Sequence, residues 1–475
     1  MPDADPTLAG VITDCTNFIP YEGGMEASPS GSIPNAIPAL ASDCRGAAVI
    51  TKLDGTRRIL AGVATNIYEI SAGSWSSVGS GYTTGADDRW CFTQFGDSTI
   101  AANMANTIQR STGAGFSAIA TAPKAKIVFS VGAFVMALST NDGTYGDNPN
   151  RWWCSAAYDD TSWTPSVSTL ATTGLLVSSP GKITAGGKLG EYAVAYKEQA
   201  VYIGQFVGAP AVWDWQQVPG TAGCVGQEAW ADIGGAHFFV GQDNFWIFDG
   251  SRPTPIGQGQ VRQWFYDNSD PASRFRTKVV FDRQQNRVFI LYPSNGSSVC
   301  NQALVYHLLT KQWGRVNVTV EALLNYVSPG ATIDTMASGG ATIDSLTSYS
   351  FDSQYWLSGG ASLSYFDTSH QLMAFAGTAG VSGFTTGDAG DDDMYTLLTK
   401  IRLRFAPGYK PSSAVVTTYT KPEVGASLSV ASTASMSDGK FDVIDSARWH
   451  RASFTFNGTC RVIGIDATLV PEGNS

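Results

Sequence analysis

Charged side chains are scarce in this sequence. They make up 15% of the 475 residues, against about a quarter in an average soluble protein, so uncharged polar residues and glycine must cover much of the surface. The net charge is −10 and the arginines are scattered, whereas a protein that reads nucleic-acid sequence normally carries a basic patch. This composition argues against sequence-specific DNA binding. It leaves open an acidic wall past which DNA slides without adhering.

Cysteine and histidine motifs are also lacking. The seven cysteines are evenly spread, odd in number and without a C-x-x-C pair, which argues against a disulfide framework or a zinc site. We expect buried thiols in a reducing cytoplasm. None of the four histidines has a metal-type neighbour, and His237 stands in an apolar run that predicts a core position. Without a phosphate loop, a dinucleotide fingerprint or a G-x-S-x-G motif, we predict no enzyme, no cofactor and no metal.

Long apolar runs are absent as well. No stretch approaches the roughly 20 apolar residues of a membrane span, and the first residues show neither a basic segment nor an apolar one. We therefore expect no signal peptide and no membrane partner.

Short apolar runs separated by tight turns are what the chain does contain. Residues 222–257 hold three such runs, bounded by Gly, Asn and Asp, which is typical of an antiparallel meander. Similar units recur, with markers at Asn66, Asn106, Gln199 and Asn244, and the second interval is about twice the others. A repeat of roughly 40–50 residues of short strands predicts a multi-bladed β-propeller in an all-β protein.

The sequence predicts four parts. Residues 1–46 are rich in proline and form an extended arm, and residues 47–376 form the propeller. Residues 377–393 are a Gly- and Asp-rich linker or loop. In residues 394–475, apolar and polar side chains alternate along each run, which indicates an additional antiparallel β-sandwich or barrel.

Two features remain as candidates for chemistry. Adjacent carboxylates, as in the run 391–393, do not provide the pair across a cleft that a glycosidase needs, and this run lacks the alternate spacing of a calcium loop. Five tryptophans fall in the middle of the chain: Trp152, Trp153, Trp163, Trp213 and Trp215. Exposed at blade ends they would stack on sugar rings, and buried they would pack blade against blade. Residues 155–163 partly match an Asp-box turn, which is a folding feature.

Four segments carry a resemblance to a known family: N-F-I-P-Y-E-G-G near the N-terminus; W-W-C-S-A-A-Y-D-D-T-S-W-T-P; P-G-T-A-G-C-V-G-Q-E-A-W followed by F-F-V-G-Q-D-N-F-W-I-F-D-G; and R-W-H-R-A-S-F-T-F-N-G-T-C-R-V-I-G-I-D-A near the C-terminus. In these segments and in length, the chain resembles the tail nozzle (packaged-DNA stabilisation) proteins of short-tailed bacteriophages.

The resemblance implies a structural virion protein without catalysis. Six copies would form a ring below the portal and the head-to-tail adaptor, continue the DNA channel, retain the genome and pass it at ejection. Tail fibre or tail needle proteins would be further partners, and double-stranded DNA would pass through without specific contacts. The protein would be assembled in the bacterial host cytoplasm and reside in the virion tail. The arm and the C-terminal domain would join as a platform.

We expect two loops, 330–345 and 377–393, to line or gate the channel. The candidate lumen residues are Asp334, Asp344, Asp388, Asp391, Asp392 and Asp393. Arg402 and Arg404 alternate with Ile401 and Leu403 along one strand and are candidate platform contacts. Two other functions remain open: a carbohydrate-binding or glycan-processing propeller such as a receptor-binding protein, and a cytoplasmic propeller scaffold.

Overall fold

The computed structural model describes residues 1–71, 73–113, 115–327 and 361–473. Within them the chain consists mainly of antiparallel strands, with one helix of seven residues and two 3-10 turns. None of the described helices is long and apolar enough to cross a membrane.

The N-terminal segment is folded into strands along much of its length. It contains β1 (Ile12–Thr16), β2 (Phe18–Tyr21), β3 (Gly24–Ala27), β4 (Ser30–Ser32) and the 3-10 turn Pro34–Ala36. Strands β2 and β3 form a hairpin, while β1 and β4 pair with strands from much later in the chain. The expected extended arm is therefore divided among three sheets.

Seven four-stranded units follow one another in the described part of the chain. The first three contain β5 (Ala47–Thr51), β6 (Arg57–Gly62), β7 (Asn66–Ser71), β8 (Ser74–Ser80); β9 (Cys91–Phe95), β10 (Ser98–Ala102), β11 (Gln109–Ser111), β12 (Ser117–Ala118); β13 (Lys124–Val131), β14 (Phe134–Asp142), β15 (Gly146–Cys154) and β16 (Thr172–Leu175).

The next three units contain β17 (Ile183–Leu189), β18 (Tyr192–Lys197), β19 (Val201–Gly208), β20 (Val212–Gln217); β21 (Trp230–Asp232), β22 (His237–Val240), β23 (Phe245–Phe248), β24 (Thr254–Ile256); β25 (Lys278–Asp282), β26 (Arg287–Tyr292), β27 (Gln302–His307) and β28 (Trp313–Val316). Helix α1 (Arg262–Asn268) and the 3-10 turn Arg274–Arg276 precede β25. The seventh unit contains β29 (Ala322–Val327), β30 (Ala361–Phe366), β31 (Leu372–Gly377) and, as its fourth strand, β4.

These units are the blades of a β-propeller, as the sequence predicts. The first strands of successive blades contact one another in the pairs β5–β9, β9–β13, β13–β17, β21–β25 and β25–β29, and β29 of the last blade contacts β5 of the first. Trp230 of blade five packs over Gly187 of blade four. Because β4 completes blade seven just before the chain enters blade one, the N-terminal segment joins the two ends of the ring.

The four repeat markers lie at equivalent positions in their blades. Asn66 opens β7, and Asn106, Gln199 and Asn244 lie just before β11, β19 and β23, so each marks the third strand of a blade. The doubled interval spans blade three, whose third strand β15 has no marker of this kind.

A β-sandwich, here called the platform, forms the rest of the structure. Its remaining strands are β32 (Val381–Thr386), β33 (Ala389–Gly390), β34 (Tyr395–Phe405), β35 (Ser413–Lys421), β36 (Ser429–Ser435), β37 (Lys440–Ala447), β38 (Trp449–Asn457) and β39 (Arg461–Gly473). One sheet has the order β1-β32-β38-β35-β36, with β33 also paired to β38. The other continues from blade six in the order β25-β26-β27-β28-β2-β3-β39-β34-β37.

The interpretation of residues 377–393 as a linker is wrong. Strand β32 lies in the middle of a platform sheet between β1 and β38. Phe384 packs against Phe18 and Phe454 inside the sandwich, with ring centroids 5.1 Å apart in both pairs. The Gly residues misled the prediction: Gly383 lies so close to the backbone of Phe454 that a Cβ atom would be 2.3 Å from its carbonyl oxygen. A glycine there reflects close packing of strands.

The platform and the propeller share a buried ionic junction. The Glu26 carboxylate on β3 accepts a hydrogen bond from Arg287 of blade six at 2.5 Å and one from Arg461 of β39 at 2.6 Å. Glu26 and Arg287 side chains are 10% and 5% exposed. Three distant parts of the chain therefore meet at one carboxylate.

Candidate functional site

Asp388, a predicted lumen residue, is buried inside the platform. Its side chain has no exposed area, its Oδ1 accepts a hydrogen bond from Arg451 at 2.7 Å, and Lys421 Nζ lies 2.8 Å from Oδ2. The prediction that Asp388 faces a channel is wrong, because two cations hold its carboxylate inside the platform.

The run 391–393 forms a turn on the platform surface. Asp391 accepts hydrogen bonds from the backbone N–H groups of Asp393 and Met394. Asp392 accepts one from the indole N–H of Trp449 at 2.6 Å. The three residues are exposed, so their place in a channel stays a prediction. Asp334, Asp344 and the loop 330–345 lie outside the described residues.

Arg402 and Arg404 lie on the outer face of the platform, as their alternation predicts. Ile401 and Leu403 are buried in the sandwich while both arginines are exposed. Arg404 forms a two-pronged ion pair with Asp466 on β39, at 2.7 and 2.6 Å. Their role as contacts with another protein stays a prediction.

The tryptophans in the middle of the chain pack between and within blades. Trp152, Trp153, Trp163 and Trp213 are each at most 6% exposed, and Trp215 is half-buried beside Trp152. Trp163 donates its indole N–H to the Asp160 carbonyl, as in an Asp-box hairpin. The four buried rings cannot stack on a sugar, so the interpretation as blade packing is confirmed for them.

His237 is a core histidine, as the sequence predicts. It is fully buried, its Nδ1 is 2.8 Å from the Tyr196 hydroxyl and its Nε2 is 2.9 Å from the Lys188 carbonyl. A carbonyl can only accept, so Nε2 carries the proton and Nδ1 accepts from the tyrosine. Burial lowers the pKa of His237 below its usual value.

A cluster of charge that was not predicted from the sequence lies at one end of the propeller axis. The segments just before the first strands of the blades converge there, and we call this region the axial mouth. Its charged residues are Asp43, Arg45, Asp87, Asp88, Arg89, Lys126, Lys182, Glu228, Arg276, Lys278 and Glu321. A signal existed in the sequence: in most blades, charged residues directly precede the first strand.

Ion pairs join neighbouring blades across the axial mouth. Glu228, before blade five, pairs with Arg89 of blade two at 3.4 Å and with Lys278 of blade six. Arg276 pairs with Asp87 at 2.6 Å. The side-chain amide of Gln227 donates to the Lys126 carbonyl at 2.8 Å. These contacts fix the spacing of blades that are distant in sequence.

Two cavities open at the axial mouth. The smaller, about 70 Å³, is lined by Arg89, Lys126, Lys182, Gln227 and Arg276, among others. The larger, about 200 Å³, shares Arg89 and Arg276 with it. Among the residues that the structure describes, no group of three or more His, Cys, Asp or Glu side chains is placed to hold a metal ion.

Comparison with known proteins adds little to this description. No family model matches the chain, and no curated protein matches it. Among solved structures, the chain is similar to YCF48 bound to D1 peptide, with a TM-score of 0.37 and 10% identity over 62% of this chain and 89% of that one.

Two further structures are similar at the same level. PorZ is an essential bacterial surface component of the type-IX secretion system of Porphyromonas gingivalis; its TM-score is 0.36 and its identity 10%, over 60% of this chain and 35% of PorZ. The computationally designed Ika8 protein gives 0.35 and 11%, over 71% of this chain and 97% of that one. YCF48 and PorZ are β-propellers, the fold that this chain's own sheets form, and at these values the similarity carries no argument about function.

Proposed function

We propose that this protein is a structural subunit of a virion tail nozzle, a ring that continues the DNA channel and holds the packaged genome until ejection. The observation that carries the proposal is the surface of the platform. Among the described residues, 24 large apolar side chains are exposed, and ten of them lie between Val381 and Val470. That is about two-fifths of the exposed apolar side chains on about a fifth of the chain. Where such side chains adjoin one another, they form the kind of apolar surface that marks a protein–protein interface.

The attachment of the platform supports an assembly role. One continuous sheet runs from blade six through the β2–β3 hairpin into the platform, and the Glu26 junction lies on this path. Load applied to the platform would therefore reach the propeller through paired strands. Two of the four segments that resemble nozzle proteins fall on these elements: the N-F-I-P-Y-E-G-G segment contains most of the β2–β3 hairpin, and the C-terminal segment contains β38 and part of β39.

The overall charge suits a DNA channel. Six copies would carry about −60, six times the −10 of one chain, and a negative wall repels phosphates. The alternative of a carbohydrate-binding propeller gains no support from the tryptophans, since most of them are buried.

Electron microscopy of negatively stained protein tests the proposal, with the purified protein alone and mixed with virion necks stripped of their tails. We expect rings with an axial hole, or added density at the end of the neck. Isolated propellers that never join a neck would refute the nozzle function.

A pair of matched variants tests whether the platform forms the contacts. Ile444→Lys changes a platform side chain that is 83% exposed, and Val167→Lys changes a propeller side chain that is 65% exposed. We expect only Ile444→Lys to weaken ring formation. Equal behaviour of the two variants would contradict the assignment of the platform as the assembly surface.

A further inference from the structure

The smaller cavity at the axial mouth is lined by four cationic side chains and two carboxylates, in a protein whose net charge is −10. Both carboxylates are already in ion pairs: Glu228 with Arg89 and Lys278, and Asp87 with Arg276. Because each of these carboxylates already has a cationic partner, they do not neutralise the remaining lysines of the smaller cavity.

Those lysines are Lys126 on β13 and Lys182 just before β17. Among the described residues, Lys126 has no carboxylate within 4.0 Å, and Lys182 reaches only Glu198, at 4.0 Å in an exposed pair. Burial lowers the pKa of Lys126; Asp88 opposes this effect, and the nearby cations Lys182 and Arg89 add to it. Two cations are therefore held near each other at a partly closed site, which favours an anion between them.

Gln227 supplies a different kind of contact in the same cavity. Its side-chain nitrogen is held by the Lys126 carbonyl, and its Oε1 is buried without a hydrogen-bond partner among the described residues. A buried acceptor without a donor destabilises the folded state. The O–H of a protonated phosphate would satisfy it, whereas an ionised carboxylate has no proton to donate.

The cavity sizes indicate what kind of molecule fits. The smaller cavity holds about 70 Å³, and one water molecule needs about 10–15 Å³, so a group of a few heavy atoms fits. The larger cavity of about 200 Å³ adjoins it through Arg89 and Arg276 and can hold the remainder of a small ester.

We propose that the axial mouth of the propeller is a binding site for phosphate, as the free ion or as the phosphate group of a small monoester. Lys126 and Lys182 neutralise the charge, Arg89 and Arg276 line the passage between the two cavities, and Gln227 Oε1 accepts a hydrogen bond from the phosphate O–H. The site is independent of the nozzle proposal, because it needs neither a ring nor a second copy.

Isothermal titration calorimetry with inorganic phosphate tests the site, at low and constant ionic strength. The test variants are Lys182→Met and the double variant Lys126→Met/Lys182→Met. Because the Lys182 side chain is 61% exposed in the wild type, we expect Lys182→Met to leave the fold intact. The matched control is Lys124→Met, which removes the same charge from β13 at an exposed position that does not line the cavity.

We expect saturable binding of one phosphate per chain, a Kd raised about tenfold or more in the double variant, a smaller rise in Lys182→Met and no change in Lys124→Met. Absence of saturable binding to the wild type would refute the proposed phosphate site. Equal Kd values for Lys182→Met and Lys124→Met would refute it too.

Two further titrations identify the ligand. Glycerol phosphate that binds at least as tightly as inorganic phosphate would support the monoester, and markedly weaker binding would restrict the site to the free ion. Acetate that binds as tightly as phosphate would refute the phosphate assignment, because ionised acetate cannot donate a hydrogen bond to Gln227.

Discussion

The Glu26 junction gives the most demanding test of how the platform is held to the propeller. Glu26→Ala removes the partner of Arg287, whose side chain is 5% exposed, and of Arg461, which is 33% exposed. A buried charge left without its partner destabilises a protein by about 3–5 kcal/mol. Glu26→Gln retains one acceptor and loses a charge-assisted hydrogen bond, so we expect a loss of about 1.5–3 kcal/mol.

The loss should be measured where it arises, because a chain of two domains need not unfold in one step. Urea titration followed by hydrogen exchange, read on peptides from β3, β26 and β39, reports the local free energy of opening. We expect the largest loss of protection in these strands and little change in blades two to four.

A second arginine–carboxylate pair in the same protein provides the control. Arg404 and Asp466 form a two-pronged pair on the platform surface, with side chains 64% and 49% exposed. Water and salt screen such a pair, so Asp466→Ala should leave stability nearly unchanged. If Glu26→Ala were no more destabilising than Asp466→Ala, burial would not be what makes the Glu26 junction important.

Three other expectations follow from the structure. Gly187→Ala would place a Cβ atom 2.0 Å from the Trp230 ring, so thermal unfolding should show a loss of about 1–3 kcal/mol, whereas Gly143→Ala, with open space around it, should lose less than about 1 kcal/mol. Burial lowers the pKa of His237 below 6.5, so the unfolded chain binds more protons than the folded chain below that pH. The free energy of unfolding should therefore fall as the pH drops below about 6.5, by up to about 1.4 kcal/mol per pH unit. The variant His237→Asn should flatten this slope in urea titrations. Burial raises the pKa of all seven cysteines, to about 11 or 12. A thiol reagent at pH 8 should therefore react far more slowly with the native protein than with the urea-unfolded chain. Equal reaction rates would contradict the burial of the thiols.

Local chemistry accounts for what the sequence analysis predicted correctly about the blades. Tight turns need residues such as the Asp54-Gly55 pair, where Gly55 has φ +82° and the Asp54 carboxylate accepts a hydrogen bond from the Thr56 N–H. Strands with one buried face need alternation, as at Ile401 to Arg404. Both requirements act over a few residues, so the sequence shows them directly.

Residues whose environment depends on a distant partner were predicted wrongly from the sequence. Asp388 looks like a solvated loop residue until Lys421 and Arg451 are placed beside it. The glycines of residues 377–393 are typical of a linker, yet Gly383 permits the backbone of Phe454 to approach closely.

By itself, then, the sequence determined the all-β class, the repeat of the propeller and the core position of His237, because each follows from short-range periodicity and composition. Only the tertiary structure decided that β4 completes blade seven, that the platform combines both ends of the chain, and that charges from separate blades meet at the axial mouth. These features arise from contacts between residues that are tens to hundreds of positions apart, such as the 2.6 Å contact of Glu26 with Arg461. The free energy of such contacts depends on burial and distance, and neither is set by neighbours in the chain.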